Sequence, residues 1–158
     1  MKNKTKKLSK YKPASDEFEF RQFPFYWMMK LSNRYAHQME VALKKVNMNI
    51  SYWRVGMILR EHGVLSISEI ATHAVYRLPT ITKTVYKMQE NGFVTIKPND
   101  DDRRVSMVTI TDQGLETIES IITNTTDVFN NAFDGMTEAQ LRNLTSSLQH
   151  IFSNLSEE

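Results

Sequence analysis

Apolar positions recur every three or four residues along most of this chain, which is the spacing of amphipathic helices. From Phe23 onward the spacing predicts one long helix, with an apolar surface wide enough for more than one packing partner. A shorter helix is predicted from Tyr52 to His62, with Ser51 as its N-cap and Gly63 as its stop. The repeating positions of the long helix are Phe25, Met28, Ser32, Tyr35, Met39, Ala42 and Val46.

Two short helices joined by a tight turn are predicted next. Ser66 and Glu69 have the spacing of a capping box, which opens a helix through about His73. Pro79 suits the first position of a further helix because its missing N–H would have no partner there, and Gly92 ends that helix. Its predicted buried stripe is Ile81, Val85 and Met88.

Two β-rich segments follow, Phe93–Lys97 and Val105–Thr111, with a polar, turn-forming segment between them. They predict a hairpin with a charged tip. Thr111 is the predicted cap of a helix through about Phe133, and Thr137–Gln140 is a second capping box that opens the last helix. The predicted apolar positions of these two helices are Leu115, Ile118, Ile122, Val128, Phe129 and Phe133, then Leu141, Leu144, Leu148, Ile151 and Leu155.

This element order predicts a mainly α protein with a small β-hairpin wing, a winged helix-turn-helix whose recognition helix is residues 79–91. Hydroxyl and ammonium groups on the outer face of that helix can reach base edges and phosphates. Arginines at the hairpin tip suit the narrow minor groove, whose negative potential attracts a guanidinium. The predicted DNA-binding residues are Arg77, Thr80, Thr82, Lys83, Thr84, Lys87, Arg103 and Arg104.

Charge is distributed unevenly along the 158 residues, although the net charge is only +2. Residues 1–12 carry six lysines and no acidic residue, residues 13–104 carry a charge of +3, and residues 105–158 carry a charge of −7. DNA would be attracted to the first two segments and repelled by the third. The lysine-rich arm is interpreted either as a solubilising tail or as a non-specific DNA contact.

Composition excludes several other classes of protein. The absence of cysteine excludes disulfides, zinc-thiolate sites and cysteine nucleophiles. We find no Gly-rich phosphate loop, no serine nucleophile elbow and no paired-carboxylate motif, so the chain is predicted not to be an enzyme and to need no cofactor. No apolar run approaches the length of a membrane span, which predicts a cytoplasmic protein without a membrane partner.

Several short motifs resemble the MarR family of bacterial winged-helix transcription regulators. The resemblance covers roughly residues 23–155, and its most specific part is Asp102-Arg-Arg104 followed by Ile110-Thr111-Asp-Gln-Gly114. The other matches are Ser51-x-Trp53-Arg54, Ile70-Ala71, Thr82-Lys83 and Gly92-Phe93-Val94.

The resemblance implies a homodimer on a near-palindromic site in double-stranded DNA, with N- and C-terminal dimerisation helices. The implied organisation is a flexible basic arm (1–22), an N-terminal dimerisation helix (23–50), the winged helix-turn-helix (51–111) and C-terminal dimerisation helices (112–158). The family pattern also implies that Asp102 pairs with Arg104 to brace the wing, while Arg103 or Arg104 reaches DNA. The neighbouring Asp100 and Asp101 would place two further carboxylates beside the phosphate backbone. Their charge would repel DNA unless both side chains point to solvent.

An aromatic-rich segment around the start of the long helix has two interpretations. It is either core and dimer packing, or part of a pocket for a small aromatic carboxylate between the dimerisation helices and the winged domain, as the family often has. Arg34 on a semi-apolar face suggests an anion receptor. The predicted ligand residues are Trp27, Leu31, Arg34, Tyr35, His37, Trp53 and Met57.

We therefore expect a repressor released by a small aromatic acid such as indole acetate or a hydroxycinnamate. One alternative is a metal-responsive regulator that uses some of His37, His62, His73 and His150, although no metal site is predicted. Another alternative is a winged-helix module that binds protein and not DNA.

Overall fold

The computed structural model describes residues 8–46 and 48–155. Residues 1–7 of the lysine-rich arm, Asn47 and residues 156–158 lie outside the described residues. The chain divides into two compact units with a boundary between Asn124 and Thr125. This boundary lies inside a helix, and the predicted limits at residues 22, 50 and 111 stay predictions.

Six α-helices and three short strands follow one another along the described chain. The helices are α1 (Pro24–Leu43), α2 (Ile50–His62), α3 (Ile67–Ala74), α4 (Leu78–Glu90), α5 (Asp112–Phe133) and α6 (Glu138–Leu155). The strands are β1 (Leu65–Ser66), β2 (Val94–Pro98) and β3 (Ser106–Ile110), and 3-10 turns occupy Ser9–Tyr11, Phe20–Gln22 and Lys44–Val46. The predicted fold class, mainly α with a small β wing, is confirmed.

Most helix ends follow the capping chemistry that the sequence predicts. In the capping box of α3, Ser66 accepts from Glu69 N–H and Glu69 accepts from Ser66 N–H. The prediction that Ser51 caps α2 is wrong. Asn49 is the N-cap, and its Oδ1 accepts from the N–H groups of Ser51 and Tyr52 at 2.9 and 3.0 Å. An asparagine one residue before the first helical position satisfies two orphan donors at once.

The sheet has three strands in the order β1-β3-β2, all antiparallel, and not the two strands predicted. Strand β1 pairs Leu65 with Val108, and β2 pairs Val94 with Ile110. A strand of two residues has no measurable periodicity, and Ser66 is also the N-cap of α3. The pattern of apolar positions therefore could not predict the third strand.

One apolar core joins α2, α3, α4, the sheet and the first half of α5. Gly114, near the start of α5, lies so close to the sheet that a Cβ on it would be 2.2 Å from the carbonyl oxygen of Phe93. Only glycine permits that approach. The start of α5 therefore packs directly against the base of the wing. The fully buried members of this core include Val55, Leu59, Ile70, Ile81, Val85, Val94, Val108 and Ile118.

Residues 8–22, predicted as part of a flexible arm, have local structure. Glu19 N–H donates to the carbonyl of Lys10 at 3.0 Å, and the Lys10 ammonium pairs with the Glu19 carboxylate at 2.8 Å. Phe18 makes edge contacts with Phe20 and Phe23, and Phe20 packs on Tyr26 of α1 in a tilted arrangement. The aromatic cluster thus packs locally.

The second unit, Thr125–Leu155 as described, contains the C-terminal part of α5 and all of α6, and a capping box opens α6. Thr137 accepts from Gln140 N–H, and Gln140 Oε1 accepts from Thr137 N–H at 2.8 Å. Phe133 is exposed, so its predicted interior position is wrong for the single chain. On α6, Leu144, Leu148 and Leu155 are also exposed along one stripe.

Candidate nucleic-acid interface

The candidate recognition helix α4 is held by the core along one stripe. Ile81, Val85 and Met88 are all essentially inaccessible to solvent, which confirms the predicted buried stripe. The helix begins one residue before Pro79 and has no side-chain cap at Arg77. It ends at Glu90, and Gly92, just beyond the C-cap residue, has φ 78°. Three buried side chains at helical spacing fix which face of α4 can meet DNA.

Thr84 does not belong to that outer face. Its side chain is only 8% exposed, and its hydroxyl donates to the carbonyl of Thr80 at 2.9 Å. The structure therefore does not place Thr84 on the face predicted to contact DNA, because the position one residue after Lys83 has turned about 100° toward the core. Thr82 is half-buried and also donates back to its own helix, to Leu78.

The centre of the outer face carries Pro79, Lys83 and Tyr86, which lie at i, i+4 and i+7 and are all exposed. Thr80 and Lys87 are exposed on one flank, and Arg77 is exposed at the N-cap. Tyr86 is not among the DNA-binding residues predicted from the sequence, because those were chosen for their hydroxyl or cationic side chains. Its helical spacing from the buried stripe would have placed it on the outer face.

The turn before α4 is attached to α2 by an arginine. Arg54 Nη1 donates to the carbonyl of Ala74 at 3.4 Å, and its guanidinium lies 4.8 Å from the centre of the Tyr76 ring. A planar cation that both donates and stacks suits this role. Arg54 thereby positions the turn that presents the N-terminal end of α4.

The wing tip is organised by two Asx-type side chains. Asn99 Oδ1 accepts from the N–H groups of Asp101 and Asp102, and this closes the turn. The structure places Asp102 and Arg104 in a bidentate pair, with Nε to Oδ1 at 2.9 Å and Nη2 to Oδ2 at 2.8 Å. Asp102 also accepts from Arg104 N–H.

This pairing shifts the titration of both groups. The hydrogen bond from the Arg104 side chain, then that from its backbone, holds the pKa of Asp102 below its usual value. The same side-chain bond raises the pKa of Arg104. The brace is thus present above the ordinary pKa of an aspartate and is lost as pH falls through the lowered one. Asp100, Asp101 and Arg103 are exposed.

The seven predicted ligand residues are only partly brought together. Trp53 is buried, and its Nε1 donates to the hydroxyl of Tyr35 at 3.2 Å, with Met57 one turn further along α2. Trp27, Leu31 and Arg34 are exposed on a neighbouring stripe of α1. His37 is exposed and projects about 200° around α1 from Tyr35. Its assignment to the ligand cleft stays a prediction.

The histidines do not form a metal site in the part of the chain that the structure describes, where no group of three or more His, Asp or Glu side chains could hold an ion. His62 and His73 instead stack with ring centres 4.3 Å apart. Among the described residues there is also no helix long and apolar enough to cross a membrane.

Comparison with known proteins identifies the family. The MarR family model matches residues 48–106. The HTH-type transcriptional repressor IacR of Pseudomonas putida is 47% identical over 147 residues, which covers 93% of this chain and 88% of that protein. The chain belongs to the MarR family. It is therefore a transcriptional regulator of the MarR type, and its relatives are regulators and not enzymes.

Solved structures of MarR proteins share the fold at low sequence identity. A mutant of MarR from E. coli complexed with operator DNA superposes with a TM-score of 0.71 at 17% identity, over 81% of this chain and 93% of that one. BpsR of Bordetella bronchiseptica, described as regulated in its DNA binding by 6-hydroxynicotinic acid, has a TM-score of 0.75 at 14% identity, over 89% and 99% of the two chains.

Proposed function

We propose that the protein is a dimeric, sequence-specific DNA-binding repressor that a small aromatic acid releases from its operator. The observation that carries the DNA-binding part is the outer face of α4. It presents Lys83 and Lys87 on the side of the helix away from its buried stripe, and a third cation, Arg104, is held in a defined geometry on the wing. Cations in fixed positions on a helix and a hairpin match the major and minor grooves.

A mobility-shift assay with the promoter region beside the protein's own gene tests this proposal. We expect a specific complex at nanomolar protein concentration that survives competition by an unrelated duplex, and an affinity that falls steeply with salt. Equal affinity for the unrelated duplex would contradict sequence specificity. No complex at low salt would favour the protein-interaction module instead.

The dimer part of the proposal is supported by α6. Leu144 and Leu148 are 41% and 38% exposed although they lie on the apolar stripe of an amphipathic helix. Apolar stripes of this kind are normally buried. A second copy of the chain would cover them, and a two-fold dimer matches a near-palindromic operator.

The ligand part of the proposal is supported by the neighbourhood of Trp53. Tyr35 and Trp53 supply aromatic surface, and Arg34 is exposed one position before Tyr35, with no ion-pair partner among the described residues. A guanidinium takes a carboxylate in a bidentate pair. BpsR, which shares the fold, is described as regulated by an aromatic acid.

Calorimetry across a panel of benzoates, cinnamates and indole acids tests the ligand proposal. We expect one class to bind, to change Trp53 fluorescence and to lower DNA affinity by about 5- to 150-fold, the usual range of allosteric coupling. The Arg34→Ala variant should lose the binding. Arg142→Ala, which removes an exposed guanidinium from α6, is the matched control and should keep it. Equal binding by Arg34→Ala, or none by the whole panel, would remove this site.

A further inference from the structure

The turn before α4 contains a residue in a strained backbone conformation, the C-cap of α3. Val75 has φ 55° and ψ 43°, and it is the only non-glycine residue with a positive φ among the described residues. A β-branched side chain is disfavoured in this left-handed region, where glycine or asparagine is the usual choice. Backbone hydrogen bonds to Ala71 and Thr72 hold the turn, but the Val75 side chain is 68% exposed and adds little packing to it. Strain of this kind often marks a functional position.

Val75 belongs to an exposed apolar strip at the N-terminal end of the recognition helix. Leu78, the first residue of α4, is 49% exposed, and Pro79 beside it is exposed as well. Val75 and Leu78 line a hollow of about 550 Å³, whose floor includes Ala71 and Tyr76. Two large apolar side chains thus face solvent at the position where a recognition helix meets base edges.

The charges around this strip favour a polyanion as its partner. There is no acidic residue from Ala71 to Gln89, whereas Arg77, Lys83 and Lys87 are all exposed in this segment. A protein partner with an ordinary mixture of charges would gain little from such a rim. An apolar strip inside a cationic rim suits a polyanion that itself presents apolar groups.

We propose that Val75 and Leu78 read thymine, by packing against its C5-methyl group in the major groove. The inference rests on the proposed DNA-binding function and names a specificity element within it. The thymine methyl is the apolar group that the four bases present in that groove. Cytosine would place its amino donor against the strip without a hydrogen-bond partner, which is unfavourable.

The probe is a duplex selected by the full-length protein from a random-sequence library, and the same duplex with every thymine replaced by uracil. Uracil lacks only the C5-methyl group, so base pairing and phosphate charge are unchanged. We expect the selected half-sites to share a thymine at a fixed position. Loss of one buried methyl should weaken binding about fourfold, and the loss in two half-sites about 15-fold.

Two variants test whether the weaker binding to the uracil duplex arises from the apolar strip. In Leu78→Ala and in Val75→Asn the ratio of affinities for the thymine and uracil duplexes should fall toward one. Asparagine tolerates positive φ, so Val75→Asn should fold with an unchanged or raised Tm. Lys87→Ala is the matched control on the same helix. It should weaken binding to both duplexes equally, because a contact with phosphate does not involve the methyl group.

The outcomes separate this inference from the proposed function. A selected duplex that binds equally well with uracil would overturn thymine reading while it leaves DNA binding intact. A uracil effect that persists in both Leu78→Ala and Val75→Asn would assign the methyl contact to other residues. If no duplex is enriched from the library, both proposals fail together.

Discussion

Replacing Leu144 and Leu148 with glutamate should convert the protein to monomers and reduce its operator affinity by about 1,000-fold. Both side chains are partly exposed on the apolar stripe of α6 and are proposed to be buried against a second copy. Two carboxylates per chain would then be buried without partners, which disfavours association strongly. A monomer holds one half-site, and its affinity approaches the non-specific range.

Analytical ultracentrifugation and a mobility-shift assay measure the two effects. The matched control is Asn143→Glu with Ser146→Glu, which adds the same charge to α6 at exposed positions away from the stripe. The control should remain dimeric and lose only the modest affinity that added negative charge costs. Circular dichroism checks that α6 stays helical in both variants. A wild-type protein that sediments as a monomer at micromolar concentration would refute the dimer.

Replacing Arg104 with alanine should weaken operator binding by about 30-fold or more. The variant removes a guanidinium from each of two wings, and the loss of one specific arginine contact alone typically lowers affinity about fivefold or more, which gives about 30-fold for two. It also removes the side-chain bonds that join Arg104 to Asp102. Fluorescence anisotropy with a labelled operator at physiological salt is the measurement. Unchanged affinity would contradict the assignment of the wing to DNA.

Asp102→Asn separates the two roles of Arg104. If Arg104 contributes charge alone, removal of a nearby carboxylate should strengthen binding to phosphate. If the bidentate pair orients the guanidinium, binding should weaken even though the wing becomes more positive. We expect the second result, because both guanidinium bonds and the backbone N–H bond converge on this one carboxylate. Asp101→Asn, an exposed neighbour, is the charge-matched control and should strengthen binding slightly.

The local chemistry of the helix ends was predictable because it depends on residues close in sequence. The capping boxes at Ser66 and Thr137 and the stops at Gly63 and Gly92 all appear in the structure. The Asp102–Arg104 pair, implied by the family pattern, also involves residues two apart. Interactions over so short a span leave few alternative arrangements.

Positions that depend on distant contacts were harder to place. Residue chemistry put Thr84 on the DNA-facing side, but the core places that hydroxyl inside and leaves Tyr86 outside. His37 is exposed on α1, whereas Trp53 is buried in α2. The chemistry of a polar or aromatic side chain does not by itself show which side of its helix faces the core.

The sequence by itself determined the order of the helices and the hairpin, the buried stripe of α4 and the family to which the chain belongs, since periodicity, caps and motifs depend on local residue order. Only the tertiary structure shows that the hydroxyl of Thr84 lies on the core side of α4. It also shows that Leu65 and Ser66 form a third strand of the sheet. It also decided that Val75 is held in a left-handed turn and exposed. These features result from α2, α3, α4 and the sheet packing on one another, and no short window of sequence contains that packing.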